Sequence, residues 1–311
     1  MLRVQYHRYG GPEELRLEAV EPNTPDRGEI RVRVEAAAAN PMDWKIRSGA
    51  VRAMTGSRFP RGVGNDFAGV VEAVGPEVTR LKVGDEVFGA ATMREAGSFA
   101  ESLVTEETNA GLKPRSFSFE QAAALPIVGA TAWIALVDKA KLQAGQSVFI
   151  GGCLGGVGRA AVQIARLCGA EVTGSCSASG REEAEALGVH QVLDYRAFDT
   201  SRFRRRFDVV FDTSGALSLR QCGAMLKRRG VALHIVLTPV KMARIQLSPR
   251  HQAVFGQPTA QVLAELAKAA AQGRLVPVIG RTAPLSNAIA ALEELELTGL
   301  PKGKLIIVPG Q

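Results

Sequence analysis

The sequence predicts an α/β chain in two parts, a β-rich partial barrel and a doubly wound parallel sheet. Three observations carry that expectation. Short strands punctuated by Gly, Pro and Asp fill the first 110 residues. Strand and helix alternate from about residue 145 to 236. A glycine-rich turn joins the first strand of the alternating stretch to its first helix. The 311 residues suit about two domains, and they bury enough surface to fold without a metal or disulfide staple.

In the first part, Ile30, Val32 and Val34 alternate with Arg31, Arg33 and Glu35, the period of a half-buried strand. Gly69–Gly75 and Gly84–Gly89 are strands with turn residues at their ends. Ser118 is placed to cap a helix from Phe119, with Glu120 and Gln121 in its first turn. Ala122–Val137 carries no charge, but it is short for a membrane span and contains Pro126 and Gly129, so it reads as a core helix. In the second part, strands are predicted at Ser147–Ile150, Val172–Ser175, Gln191–Leu193, Asp208–Phe211 and Val231–Val236. Helices are predicted at Arg159–Leu167, Arg181–Leu187 and Leu219–Lys227. Residues 238–258 hold three prolines and no clear period, and read as a long surface connection. A helix (Gln261–Ala271), a segment ending at Pro284, a helix (Ser286–Leu297) and a strand (Lys304–Val308) follow. The last strand is expected to return to the first part. Residues 1–122 and 259–311 then form a catalytic domain, and 123–258 a dinucleotide-binding domain.

Lys and Arg number 38 against 31 Asp and Glu, a net charge of +7. That suits anionic partners, and a solubilising surface explains it equally. Aromatics, at 5%, count against recognition by stacking on bases, and no specific nucleic-acid partner is expected. Cys153, Cys168, Cys176 and Cys222 contain no CxxC pair, and the polar start of the chain is not a signal peptide. A reducing, cytoplasmic setting is expected.

The strongest chemical signal is Ser147-Val-Phe-Ile-Gly-Gly-Cys-Leu-Gly-Gly-Val-Gly158, a strand, a turn and the start of a helix. That context is what turns a loose GxGxxG match into a Rossmann-type dinucleotide fingerprint. Cys153 stands at the first glycine position, and Gly152 before it can make the turn. Gly155 lets the backbone approach a pyrophosphate, and Gly158 lets the helix pack against the strand. The N-terminus of the following helix offers N–H groups to phosphate, and Gly156 and Val157 of the turn are cofactor candidates with it. An NAD site usually carries an acid about 20 residues on, and none lies between Glu171 and Glu182. Ser177, Ser179 and Arg181 occupy that stretch instead and suit a 2′-phosphate, so NADPH is the expected cofactor. Tyr195 either contacts the adenosine end or packs. Arg202–Arg206 reads as a solvated run.

These features, with Asn40–Gly49, Gly64–Gly75, Val83–Gly89, Gly129–Ala132 and Lys302–Ile307, resemble the medium-chain dehydrogenase/reductases over essentially the whole chain. Within them, the resemblance is to the zinc-independent quinone oxidoreductases. It implies a GroES-like first domain and a Rossmann second domain. The zinc alcohol dehydrogenases of that superfamily carry Cys and His where this chain has Asn40 and Asn65, and amides are poor zinc ligands. His7, His190, His234 and His251 are scattered in sequence, and no metal is expected. No Tyr lies four residues before a Lys, and there is no GxSxG elbow, so two other site chemistries are missing.

Without a Lewis acid, hydride transfer favours an acceptor that is already electron-poor, a quinone or an enone. The resemblance implies that Asn40 faces the nicotinamide and substrate, that Thr131 lies beside the nicotinamide, and that Lys304 contacts the cofactor. Lys45 is the first candidate to donate to the substrate oxygen, with Asp43 beside it; the alternative is a surface Lys45 paired with Asp43. The backbone at Val236 and Leu237 is a candidate for the carboxamide, and Phe255 for a substrate wall. A homodimer is expected, with Val231–Val236 as a candidate sheet edge. Reduction of enone C=C bonds stays open beside quinone reduction, as does a non-catalytic NADPH-binding or RNA-binding role.

Overall fold

The structure is a computed structural model, and it describes residues 1–299 and 302–310. The chain divides into two compact units, Met1–Ile127 with Gln257–Gln311, and Val128–Gly256. In chain order the strands begin with β1 (Leu2–Tyr6), β2 (Arg16–Ala19), β3 (Glu29–Ala38), β4 (Arg61–Gly62), β5 (Asp66–Val74), β6 (Glu86–Ala90), β7 (Ser102–Glu106) and β8 (Ala110–Leu112). They continue with β9 (Ser147–Gly151), β10 (Glu171–Cys176), β11 (Gln191–Asp194), β12 (Phe207–Asp212), β13 (Leu226–His234) and β14 (His251–Ala253), and end with β15 (Ile279–Pro284) and β16 (Lys304–Val308). The helices are α1 (Pro41–Arg47), α2 (Arg52–Thr55), α3 (Phe119–Ala123), α4 (Pro126–Trp133), α5 (Gly156–Leu167), α6 (Arg181–Leu187), α7 (Leu219–Met225), α8 (Pro239–Gln246), α9 (Ala260–Ala271) and α10 (Ala288–Thr298).

The first unit is built on β3. Ile30, Val32 and Val34 are buried while Arg33 faces water, so the sequence alternation sets which face packs. Burying each of these three side chains contributes about 1.5–3 kcal/mol. They join Tyr6, Phe67, Phe99 and Ile307 in one core. The sheet runs β15-β16-β3-β5-β6-β8, with β7 also on β3, beside a three-stranded sheet β2-β1-β4. The register of β3 on β5 slips between Val34 and Ala36, and Gly69 sits at that slip. A Cβ on Gly69 would collide with the Arg33 carbonyl. The C-terminal strand β16 pairs antiparallel with β3 through Ala38↔Ile306 and Ala37↔Ile307.

The second unit is a six-stranded parallel sheet, β11-β10-β9-β12-β13-β14. The chain enters at β9 in the middle, winds outward through β10 and β11, then crosses back to β12 on the other side of β9. The C-terminal ends of β9 and β12 therefore mark the switch point at which ligands bind in such sheets. Phe149, Phe207, Val210, Met225 and Leu226 form its aromatic-rich core.

Four elements differ from their sequence expectations. The helix from Leu219 ends at Met225, because Leu226 already pairs with Phe207 and starts β13. Residues 238–258 are structured: Thr238 Oγ1 accepts from Lys241 N at 3.1 Å to cap α8, and His251–Ala253 adds a strand. That strand covers Ala232–His234, so Val231–Val236 is not the sheet edge expected for a dimer. Ala122–Val137 is not one helix: α3 ends, Pro126 starts α4, and Ile134–Lys139 closes it as a π-helical turn. The Ser118 cap is present, with Gln121 N donating to Ser118 Oγ at 3.2 Å and Ser118 N to Gln121 Oε1 at 3.1 Å. Among the described residues no helix is long and apolar enough to cross a membrane.

Candidate functional site

The glycine-rich turn sits at the C-terminal end of β9. Gly152 has φ +74°, a left-handed conformation that favours glycine. A Cβ on Gly158 would collide with the Gly152 carbonyl, so that position must be bare for α5 to approach the turn. Gly155 differs. Its φ is −70°, and a Cβ there would approach the protein no closer than 3.4 Å, at the Gly152 carbonyl. Packing does not demand glycine at 155, which leaves a cradle that a side chain would fill and a ligand backbone approach can use. By helix geometry the N–H groups of Gly156, Val157 and Gly158, in the first turn of α5, lack intrahelical acceptors and carry the positive end of the helix dipole.

The turn is braced by a residue that the sequence pattern did not single out. Arg159 is 7% exposed. Its Nε donates to the Leu154 carbonyl at 2.8 Å, and its Nη1 pairs with Glu183 at 3.0 Å. Arg159 thus ties the turn to α6. Cys153 is buried beneath it, and burial pushes its thiol up to about 12, with Cys176 adding to the shift. Cys153 therefore packs beneath the turn as a buried, protonated thiol.

The other strand ends of this unit gather most of the remaining expected residues. After β10, Ser177 Oγ lies 3.1 Å from Ser179 Oγ, and Arg181 opens α6 half-exposed, with Glu185 at 3.5 Å. After β11, Tyr195 N donates to the Cys176 carbonyl at 3.1 Å, and the exposed Tyr195 ring lies under the Arg196 guanidinium at 5.5 Å. After β12, Thr213 Oγ1 donates to the Gly151 carbonyl at 2.6 Å. After β13 come half-buried Val236 and Leu237, and a Cβ on Gly215 would stand 2.8 Å from Val236. After β14, Phe255 is 55% exposed. Thr131, on α4, is buried, and the backbone of Gly256 next to Phe255 packs so tightly that a Cβ there would collide with its hydroxyl.

Asn40, Asp43 and Lys304 meet in the first unit, with Asp66 at their centre. Asp66 is fully buried. Its Oδ2 accepts from Asn40 Nδ2 at 2.9 Å and Lys304 Nζ at 3.0 Å, and its Oδ1 from Ile127 N at 2.9 Å. Lys304 Nζ also donates to Asn40 Oδ1 at 2.7 Å. Asp43 Oδ2 accepts from Asn40 N at 2.7 Å across the first turn of α1. Burial pushes the Asp43 carboxyl up to about 7; Asp66 adds to the shift, while the Asn40 N–H and Lys304 oppose it. Lys45 is exposed on α1 and makes no pair with buried Asp43, because residues two apart do not share a helix face. The expected alternative of a Lys45–Asp43 surface pair is thus wrong. Asn65 donates to the Ala91 and Thr92 carbonyls at 2.9 and 3.0 Å.

The set of Asn40, Asn65, Asp66 and Lys304 does not fit a zinc ion. It offers no thiolate or imidazole, and a lysine ammonium already neutralises its carboxylate. A second group of possible donors lies in the other unit, where Asp212, Cys222 and His234 present ligand atoms within 4.8 Å of one another. Asp212 Oδ1 accepts from Ser214 Oγ at 3.0 Å and Gly215 N at 2.9 Å, and Lys241 Nζ lies 3.7 Å from its Oδ2. Burial pushes the Cys222 thiol up to about 12, and Asp212 adds to it. The group is an ion-paired core cluster with its own cation. Two of the four histidines meet here: His234 Nε2 lies 3.0 Å from His251 Nδ1, and the rings stack at 5.3 Å.

Comparison with known proteins agrees with this architecture. The family profile "Alcohol dehydrogenase GroES-like domain" matches residues 26–142, and "Zinc-binding dehydrogenase" matches 187–307. The chain is 30% identical over 329 residues to a chloroplast envelope quinone oxidoreductase homolog of Arabidopsis thaliana, covering 99% of this chain and 98% of the relative. The chain belongs to the quinone oxidoreductases of the medium-chain dehydrogenase/reductase superfamily. A quinone oxidoreductase of Sus scrofa is also 30% identical, with 99% and 98% covered. A 2-methylene-furan-3-one reductase of Solanum lycopersicum is 33% identical, with 98% of this chain and 78% of the relative covered. Among solved structures, the quinone oxidoreductase of Coxiella burnetii superposes with TM-score 0.89 at 29% identity and 99% coverage of both chains. The quinone oxidoreductase of Escherichia coli, solved in complex with NADPH, gives 0.84 at 26%, covering 99% of this chain and 100% of the other. This member of the family is an oxidoreductase with a nicotinamide-type site; the name of its second profile is not matched by a thiolate or imidazole at Asn40 or Asn65.

Proposed function

We propose that this chain is an NADPH-dependent oxidoreductase that reduces quinones or similarly electron-poor carbonyl acceptors without a metal. The single observation that carries the reading is the end of β10. Two serine hydroxyls 3.1 Å apart and the Arg181 guanidinium stand where an acid would select a free ribose 2′-hydroxyl. That set suits a doubly charged 2′-phosphate.

Gly155, with the N–H groups of Gly156, Val157 and Gly158, holds the pyrophosphate in this reading, and Gly152 shapes the turn. Tyr195 borders the adenosine end. Thr131, Val236 and Leu237 orient the nicotinamide, and Phe255 walls the acceptor. When bound, the reduced nicotinamide supplies a hydride to the acceptor. Lys304 holds Asn40 in place, and Lys45 is the donor to the acceptor oxygen as it gains negative charge. Asp43 fixes the start of α1 on which Lys45 stands. No group in this set polarises a plain ketone as zinc would, so the acceptor must itself be electron-poor. The reading includes a homodimer in the cytoplasm.

The similarity to the tomato 2-methylene-furan-3-one reductase favours a second acceptor class, the C=C bond of enones. The deciding assay follows NADPH oxidation with quinones, 2-alkenals, aldehydes and simple alcohols. Turnover with quinones or enones alone is expected. Oxidation of simple alcohols with stoichiometric bound zinc would sink the proposal, and tight NADPH binding without turnover on any acceptor would replace it with a non-catalytic role.

A further inference from the structure

The residues proposed for the dinucleotide in the second unit lie at the C-terminal ends of the parallel strands or on α4. The opposite, N-terminal edge carries a different feature. There, a cavity of about 360 Å³ is lined by Arg204, Arg205, Arg228 and Arg250, with Gly223 and Leu226 among its apolar residues. Arg204 and Arg205 lie just before β12, Arg228 in the first turnless residues of β13, and Arg250 just before β14. No carboxylate lines the cavity. Asp208, at the start of β12, is paired with Lys227 at 2.7 Å. Among the described residues none of the four makes an ion pair.

The fold holds the side chain of Arg250 and the backbone of Arg205 in place. Arg250 is half-buried, and its Nη2 donates to the Lys227 carbonyl at 2.7 Å and the Leu226 carbonyl at 3.3 Å, while its Nε reaches the Gly230 carbonyl at 3.4 Å. Its Nη1 is left uncommitted. Arg205 has φ +53°, a left-handed conformation uncommon for a non-glycine residue. Its N–H donates to the Ala224 carbonyl at 2.9 Å, and that of Arg206 to the Met225 carbonyl at 2.9 Å, so the strained loop is pinned to the end of α7. One held guanidinium and three exposed ones around a hollow of ligand size, with no carboxylate in its lining, concentrate positive charge that an anion would offset.

We propose that this cavity is a second anion site that binds a compact polyphosphate, separate from the dinucleotide turn. Guanidinium groups match phosphate oxygens in pairs, and four of them suit a chain of two or three phosphates. The lining has no aromatic ring, so a nucleoside attached to the phosphates gains nothing here.

The test is titration calorimetry of the full chain with inorganic tripolyphosphate at saturating NADPH, so that the dinucleotide turn is filled. One equivalent is expected to bind. ATP is expected to bind about as tightly. The paired substitution Arg204→Gln with Arg228→Gln, on exposed side chains, is expected to weaken tripolyphosphate binding roughly tenfold or more, while the KM for NADPH stays unchanged. No binding at NADPH saturation, or equal affinity in the variant, overturns the proposal. So does a preference of more than about tenfold for ATP, which would mean that a base and not the phosphates is recognised.

Discussion

Asp66 and Lys304 are 238 residues apart in sequence and 3.0 Å apart in the fold, with both groups buried. Removing one member of such a pair strands the other charge away from water, at a cost of about 3–5 kcal/mol. Lys304→Met should therefore lower the thermal midpoint strongly, and a midpoint within a degree or two of the parent would show that the pair is not buried as described. Asp43 behaves differently because its carboxyl is pushed up to about 7. The folded chain holds a proton there that the unfolded chain, with a carboxyl near 3.9, releases. The stabilisation from this group is complete below about pH 4 and is lost as pH rises through 7. Asp43→Asn keeps an acceptor for the Asn40 N–H and removes the ionisation. The variant should be the more stable protein at pH 8, with the gap closing toward pH 4 in urea melts. Arg181→Ala should raise the KM for NADPH far more than for NADH; equal effects on the two would remove the 2′-phosphate from the proposed reading.

At the scale of elements, the edge of β13 against β14 is where pH should act with the opposite sign. Burial brings the His234 imidazole down to about 3, helped by Lys241 and His251, and burial likewise lowers His251. Between about pH 6.5 and 3 the unfolded chain takes up protons that the folded chain refuses. Stability is full above that window and falls on acidification by up to about 1.4 kcal/mol per pH unit for His234. Replacing His234 by Gln should flatten the acid limb of the denaturation profile; an unchanged slope would mean that the pair is hydrated. This junction also shows what the sequence could and could not disclose. The turn at Gly152–Gly158 was legible because its demands are local: a positive φ and a close approach within six residues. The alternation of β3 was legible because one face is buried. The strand His251–Ala253 was not, since three residues carry no period, and it exists only because β13 offers it an edge. The start of α8 at Pro239 was not legible, because residues 238–258 carry three prolines and no clear period. The Asn40–Asp66–Lys304 cluster depends on the pairing of β3 with β5 and β16, which no spacing announces. Arg159 was invisible as a brace because its partner, Glu183, lies on another helix.

For the whole molecule, the net charge of +7 is not spread evenly, since four of its arginines share one cavity without a carboxylate. The proposed metal-free chemistry is also a property of the whole purified chain. Exhaustive dialysis against a chelator should leave NADPH oxidation unchanged, and elemental analysis should find zinc well below one per chain. Loss of activity restored by zinc would reject the proposal.

The two-part path of the chain also sets an order of events during synthesis. The nucleotide unit is a continuous segment and can close its sheet as soon as Ala253 leaves the ribosome. The other unit must wait for its final strand, because β3 receives β16 across more than 260 intervening residues. Until then Asp66 lacks its ammonium partner. Residues that follow the whole second unit in the chain are the ones that make the first unit's buried charge tolerable.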